Sequence, residues 1–372
     1  MTDTRRFGAT TAADRITSLD VVRGVAVLGI LTMNVVSFAL PDAAYFNIDA
    51  SSPQSTLDWI VGAIGEIFAD QKFMGMFSML FGAGIVLFAD RAASKTAHPV
   101  WLSLWRNFLL LLIGIAHSLL WPGDVLTVYA LCAPVLIAAR RLTNRTLVVL
   151  GVAVIAISPI AAVMAQATVD ESGSGLGDYW FIGGEMSDTV GLWLLADFGG
   201  RALGMMLIGV AAFRTGFLTG SWSDVHYRRT VRWGLGVGLP LAALGFAVVA
   251  ADDFGPDTAV IGSIPNTIGT LPTVAGYVAL ITLWHRRHAG SPIDMRLSAA
   301  GRMALTNYLT QTLLGALVFW VMLDGVEVGR AALAVFVAAV WALQLWWSPL
   351  WLGRFRSGPF ETLWRAATYR RW

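Results

Sequence analysis

The sequence predicts an all-α, polytopic integral membrane helix bundle of about ten transmembrane helices, with both termini cytoplasmic. Three observations carry this. The chain has 372 residues, of which 56% are hydrophobic and only 13% charged. An average soluble domain is about 25% charged, so there is too little charge here to cover a water-exposed surface. Apolar runs of spanning length recur along the chain, and mean hydropathy is +0.65. The basic residues gather in every second connection.

A span needs about 20 mostly apolar residues. The candidates are 19–40, 73–89, 100–121, 124–139, 147–167, 200–218, 234–250, 269–284, 299–323 and 331–350. The fourth is short, and the sixth could begin near Thr189. The first is read as a true span. Its apolar run is about twice the length of a signal-peptide core, and Arg23 stands near its start.

Arginine and lysine test this count. With the N-terminal tail inside, Arg5, Arg6 and Arg15 are cytoplasmic. So are Arg91, Lys95 and Arg106, then Arg140, Arg141 and Arg145, then Arg214, Arg228, Arg229 and Arg232. Arg286, Arg287, Arg296 and Arg302 follow, and Arg354, Arg356, Arg365, Arg370 and Arg371 close the chain. Of the 26 basic residues, only Arg23, Lys72, Arg201 and Arg330 fall elsewhere. That is the positive-inside bias, and merging or splitting one span would destroy it.

The organisation is then a cytoplasmic tail (1–18), a single transmembrane domain (19–350) and a basic cytoplasmic tail (351–372). Two outer loops are long and acidic, 41–72 and 168–199. Their apolar patches, 57–68 and 190–195, lie on the membrane or re-enter it. No internal repeat is evident, which weakens a transporter built from inverted halves. Sixteen Trp and 38 Gly suit interfacial anchoring and close helix approach.

Composition also excludes. The single Cys132 rules out an intramolecular disulfide framework and a Cys-based zinc site. His98, His226, His285 and His288 show no zinc spacing, so no metal is expected. A net charge of +2 gives no basic excess for nucleic acid. Gly234, Gly236 and Gly238 lie in an apolar helix with no strand before them, which is packing and not a dinucleotide fingerprint.

Ionisable residues at membrane depth are costly and become functional candidates. Asp20, Arg23 and Asn34 share one face of the first span. They are either an orienting ion pair with interhelical glue or part of a site. Arg106 and His117 share one face of the third span, ~16 Å apart by helix rise. After His117 comes Trp121-Pro122-Gly123-Asp124. The Pro-Gly break can fold Asp124 back to the imidazole, as in a general base with its orienter. The plain alternative is a His bonded to a neighbouring helix and an Asp capping the fourth span. Lys72 either meets an anionic acceptor or snorkels. Ser78 and Gly82 form a small-xxx-small packing pair, and Asp197 and Arg201, four apart, form a structural ion pair. Asn307 and Gln311 form a polar stripe that lines a cavity or stitches helices together.

Several blocks resemble one family. They include Ser18-Leu19-Asp20-Val21-Val22-Arg23-Gly24 with Met33-Asn34, and Lys72-Phe73 leading into Met76-Phe77-Ser78-Met79-Leu80-Phe81-Gly82-Ala83-Gly84. His117 with Trp121-Pro122-Gly123-Asp124 follows, then Gly301-Arg302-Met303-Ala304-Leu305-Thr306-Asn307-Tyr308 and Ser357-Gly358-Pro359-Phe360-Glu361. Together they resemble the YeiB family of bacterial membrane proteins. The opening block also resembles the heparan-α-glucosaminide acetyltransferase group of transmembrane acyltransferases. That second resemblance implies transfer of an acyl group from cytoplasmic acyl-CoA to a hydroxyl or amine on the far side of the membrane. No histidine follows Asn34 in the first outer loop, so the catalytic role passes to His117 on chemical grounds alone.

The resulting expectation is an acyltransferase of the bacterial cytoplasmic membrane. Arg23, Arg106 and Arg302 would hold the acyl-CoA phosphates, because Arg suits bidentate phosphate contact. The arm would pass Asn34, Asn307 and Gln311. His117, oriented by Asp124, would act as base or acyl carrier, and Asn34 would stabilise the oxyanion. Expected partners are membrane lipid, acyl-CoA, an extracytoplasmic acceptor and a second copy of the chain. The rival classes are a small-metabolite transporter and a structural or regulatory membrane protein.

Overall fold

The computed structural model describes residues 16–51, 55–94 and 96–369. Arg5, Arg6, Arg15, Lys95, Arg370 and Arg371 lie outside them. Among the described residues the secondary structure is entirely helical. Nine helices are long and apolar enough to cross a membrane, and a shorter apolar one, Leu126–Ala139, joins them. These ten correspond in order to the ten spans expected from sequence.

The chain runs through α1 (Thr17–Asn34), a short α2 (Val36–Ala39) and α3 (Thr56–Ile64). Next come α4 (Lys72–Ala93), α5 (Pro99–Ser118), α6 (Leu126–Ala139), α7 (Asn144–Gln166) and α8 (Asp188–Arg214). Then follow α9 (Asp224–Ala251), α10 (Ser263–His288), α11 (Pro292–Arg302), α12 (Ala304–Gly315), α13 (Arg330–Arg354) and α14 (Pro359–Tyr369). The loops rich in arginine gather at one end of the bundle, and the long acidic loops at the other.

Water does not drive helices together inside lipid, so contact rests on small residues and interhelical hydrogen bonds. The α4–α8 crossing shows this. A Cβ on Gly82 would lie 2.4 Å from the Met206 carbonyl oxygen, and one on Gly209 would lie 2.1 Å from that of Met79. Gly234 and Gly238 meet the α10 backbone in the same way, so these two are packing positions, while among the described residues nothing lies within 4 Å of a Cβ on Gly236. Outward faces stay apolar: Val149, Ile160 and Met164 of α7 are all exposed, as lipid contact requires.

Three boundaries differ from the sequence reading. The region 57–68 forms α3 and a following π-turn (Gly65–Ala69), then breaks at Gln71, whose φ of 64° is left-handed. The exposed Leu57, Ile60, Ile64 and Phe68 of this piece share one apolar face. The sixth span starts at Asp188, at the alternative start near Thr189 and not at 200, so Asp197 and Arg201 lie within the helix. The ninth is interrupted at Met303, which separates α11 from α12. The break falls where Gly301 lies against the Asp20 carbonyl of α1.

The C-terminal segment is not a loose strand of chain. Residues Pro359–Tyr369 form an amphipathic helix that docks on α5 and α12. The Trp364 indole donates to the Arg106 carbonyl at 2.8 Å, and Glu361 accepts from the Thr306 backbone N–H at 3.0 Å.

Candidate functional site

The site is assembled at the turn after α5. Leu120 and Trp121 both donate their backbone N–H to the His117 carbonyl, at 3.0 and 2.9 Å. This tightens the helix end, and the turn at Pro122-Gly123 then reverses the chain. Asp124 comes back to place Oδ1 2.8 Å from His117 Nδ1. Its Oδ2 accepts from the Thr127 backbone N–H at 2.8 Å, at the first turn of α6. The contacts of both readings left open from sequence are present together: Asp124 meets the imidazole and also caps the helix.

The other imidazole nitrogen faces α12. His117 Nε2 lies 2.9 Å from Thr312 Oγ1. In the tautomer that donates from Nδ1 to Asp124, Nε2 presents its lone pair to the Thr312 hydroxyl. All three side chains are buried. The Thr312–His117–Asp124 order is that of a hydroxyl, a base and its orienter. Tyr308 lies one turn before Thr312. Its hydroxyl accepts from the Val125 N–H at 3.2 Å and reaches Asp124 Oδ1 at 3.4 Å, a long and weak contact.

Below Tyr308 a cavity of about 250 Å³ opens towards the arginine-rich end. Arg23, Arg106 and Arg302 line it together with Glu361, and its walls are apolar, with Phe77 and Leu110 among them. Arg23 pairs with Asp20 at 3.0 Å. The Arg106 guanidinium is held between the Phe88 and Trp364 rings, with centroids at 4.3 and 4.2 Å. Arg302 donates to the Arg356 carbonyl at 3.4 Å. Burial pushes the Glu361 carboxyl above its ordinary range, and hydrogen bonds from Thr306 partly offset this.

The family described as "Protein of unknown function (DUF418)" matches residues 212–371. The uncharacterised protein YeiB of Escherichia coli K12 is 33% identical, over 96% of this chain and 97% of its own length. The uncharacterised protein YxaH of Bacillus subtilis 168 is 30% identical, over 96% of this chain and 95% of its own. The chain belongs to the YeiB family. A third relative, a 39.9 kDa protein encoded in the amylase 3′ region of Bacillus acidopullulyticus, is 25% identical over 96% of this chain and 95% of its own length. The YeiB-family likeness thus runs the length of the bundle. The DUF418 match holds α11, α12 and α14, and so Arg302, Thr312 and Glu361, but not His117 or Asp124.

The structure of this YeiB-family chain separates the residues that sequence placed along one path. Arg23, Arg106 and Arg302 converge on one cavity, while His117 and Asp124 lie behind Tyr308. Asn34, the expected oxyanion donor, is placed by the first helix. It ends α1, its carbonyl accepts from Ser37 Oγ at 2.9 Å, and no hydrogen bond links it to His117 among the described residues. Asn307 and Gln311 stitch helices and do not line the cavity. Asn307 Nδ2 donates to the Ala300 carbonyl and to Ser348 Oγ, and its Oδ1 accepts from Trp347. Gln311 Nε2 donates to the Val27 carbonyl and to Gln344 Oε1, both at 3.0 Å.

Lys72 does not snorkel. It is buried at the α4 start, donating to the Glu66 carbonyl at 3.0 Å and to Asn266 Oδ1. Asp197 and Arg201 are paired and buried, and Asp197 also accepts from Ser158 of α7 at 2.5 Å.

Sequence reasoning missed Thr312, Tyr308 and Glu361. Tyr308 and Thr312 are four apart and share a helix face. Nothing in the linear order says that this face meets His117, 195 positions away from Thr312.

Proposed function

We propose that this YeiB-family protein is a membrane-embedded acyltransferase of the bacterial cytoplasmic membrane. It would use a cytoplasmic acyl thioester and an acceptor hydroxyl or amine. One observation carries the reading: a buried Thr312–His117–Asp124 relay lies behind Tyr308, which lines an apolar cavity rimmed by Arg23, Arg106 and Arg302. The ligand that suits such a cavity has an anionic head and a lipophilic or extended tail, as acyl-CoA does. An all-helical bundle also suits the cytoplasmic membrane, since bacterial outer-membrane spans are barrels.

The chemistry follows from which atom His117 already holds. Its Nε2 lone pair faces Thr312, so Thr312 Oγ1 is the first nucleophile it can deprotonate. Thr312 Oγ1 attacks the thioester carbonyl carbon and its proton passes to His117 Nε2. The C–S bond then breaks, and the leaving thiolate takes that proton as free CoA thiol. The acceptor's O–H or N–H attacks the Thr312 ester in turn. Its proton passes through His117 to Thr312 Oγ1 as the C–O bond breaks. Asp124 stabilises the imidazolium in both halves. Tyr308 must swing away from Asp124 for the thioester to reach Thr312.

The test is thermal stability of the detergent-purified protein with CoA, acetyl-CoA and long-chain acyl-CoA, followed by thiol release with candidate acceptors. A ligand of the native state raises apparent stability by mass action. The expected result is a thioester-dependent rise that Arg106→Ala removes, and a hydroxylamine-labile acyl label on wild type that Thr312→Val lacks. No rise with any thioester well above micromolar concentration overturns the reading. Solute flux in liposomes without thioester consumption would replace it with transport, which the presence of a cavity towards each end of the bundle also favours.

A further inference from the structure

We propose that Asn107 selects the acyl donor, by accepting a hydrogen bond from the hydroxyl or first amide of a phosphopantetheine arm. This rests on the acyltransferase reading of the arginine-rimmed cavity and narrows the class of donor that cavity takes.

Asn107 follows Arg106 on α5 and lines the same cavity. It is only 5% exposed. Its Nδ2 donates to the Ser103 carbonyl, one turn back, at 2.8 Å. That contact fixes the orientation of the amide, because a carbonyl only accepts and an amide nitrogen only donates. The opposite end of the amide is therefore Oδ1. It has no hydrogen-bond partner among the described residues, and protein does not enclose it, so its free surface faces the cavity. The neighbouring polar groups do not serve it. Arg23, Arg106 and Arg302 are held by the contacts given above, Tyr308 is turned to Val125 and Asp124, and Glu361 accepts from Thr306. In a solvent-filled cavity water serves this oxygen. A ligand that displaces such a water loses affinity unless it brings a donor of its own.

The level of Asn107 says which part of the ligand meets it. It stands beside Arg106, and ten residues separate it from His117, which is ~15 Å of helix rise. A phosphate held at Arg106 therefore needs a donor a few bonds away and an acyl carbonyl ~15 Å further in. Phosphopantetheine has this layout. Its hydroxyl and first amide N–H follow the phosphate closely, and the roughly thirteen bonds from phosphorus to sulfur span about 15 Å at ~1.2 Å per bond. Acyl phosphates and diacyl phospholipids carry no N–H or O–H between phosphate and acyl group. They would bury Oδ1 without a partner, which is unfavourable.

The probe is 4′-phosphopantetheine, titrated against the full-length protein in uncharged detergent. CoA, a holo-acyl carrier protein and hexyl phosphate are the comparisons. Hexyl phosphate keeps the phosphate and an apolar tail but has no donor on that tail. Melting temperature gives the half-saturation for each. Wild type is expected to bind 4′-phosphopantetheine saturably and more tightly than hexyl phosphate. Asn107→Leu, of similar size, should weaken 4′-phosphopantetheine by about five- to a hundredfold and leave hexyl phosphate unchanged or tighter. A merely structural role would move both together. Gly84→Leu is the second variant. Gly84 lines the cavity and a Cβ there meets nothing within 4 Å, so the new side chain fills the space without displacing protein. It should abolish the response to both compounds. Saturation by CoA and not by the carrier protein assigns the arm to free CoA, and the reverse assigns it to the carrier; either supports the inference when Asn107→Leu weakens it. Equal loss for both phosphates in Asn107→Leu, no loss at all, or a response that survives Gly84→Leu overturns the inference and leaves thioester binding standing. No response of wild type to 4′-phosphopantetheine, CoA or the carrier protein overturns both.

Discussion

The Trp364 ring lies 4.2 Å from the Arg106 guanidinium and its indole N–H donates to the Arg106 carbonyl. The C-terminal helix is thereby tied to the third span at the residue that lines the proposed thioester cavity. Removing the ring frees the guanidinium on one face and loosens α14. A partly buried cation–π contact is worth about 1–2 kcal/mol. Trp364→Ala should therefore weaken acyl-CoA binding by about five- to thirtyfold, read from the concentration dependence of the melting temperature. Unaltered affinity would show that α14 only packs against α5 and α12.

His117→Ala should abolish thiol release while the protein still extracts and melts as one species, because the imidazole joins α5 to α12 through the single contact with Thr312 and one such interhelical bond is worth about 0.6 kcal/mol on average. Asp124→Asn is the more informative change. Asn retains an oxygen for the Thr127 N–H but no longer fixes the imidazole tautomer. Turnover should fall by ~10³–10⁴ with little loss of thioester affinity. A variant that binds less and turns over normally would remove Asp124 from the chemistry.

The Asn307 ladder makes the opposite prediction. Asn307 bonds α11, α12 and α13 together through Ala300, Ser348 and Trp347. Polar contacts between membrane helices average about 0.6 kcal/mol and reach about 1.7. Asn307→Leu, which breaks several at once, should lower stability by about 1–3 kcal/mol and leave acyl-CoA affinity within about twofold. Equilibrium unfolding in mixed micelles measures the first and thermal-shift titration the second. A large loss of affinity at preserved stability would restore the residue to the ligand path.

The spans were legible in the sequence because lipid imposes one strong rule: apolar length between arginine-rich connections. Even the short fourth span was readable from its charged flanks. The break at Met303 was not, because it depends on how closely Gly301 approaches α1. The candidate site was half legible. His117 and Asp124 are seven residues apart around a Pro-Gly turn, so local geometry joins them. Thr312 and Glu361 reach the site only through tertiary packing, and packing likewise decides that Asn307 stitches helices, one of the two uses its spacing left open. A polar residue's helical face is set by sequence, but the neighbour it meets is not.

Glu361 makes the cavity pH-sensitive. It lies on α14 facing a space lined by Arg23 of α1, Arg106 of α5, Arg302 of α11 and Tyr308 of α12. Burial raises its carboxyl above the ordinary value of 4.5. A carboxyl with a raised folded-state value contributes stability that is present below its unfolded value and lost as pH rises through the folded one. Stability should therefore decline from about pH 4.5 upward through the raised value, relative to Glu361→Gln, which cannot ionise. The same ionisation places a negative charge among the arginines that would meet the CoA phosphates. Acyl-CoA affinity should fall across that window in wild type and stay flat in Glu361→Gln. Thermal-shift titrations at several pH values, at fixed ionic strength, read both effects together. Parallel pH profiles in the two proteins would show that Glu361 does not face the ligand.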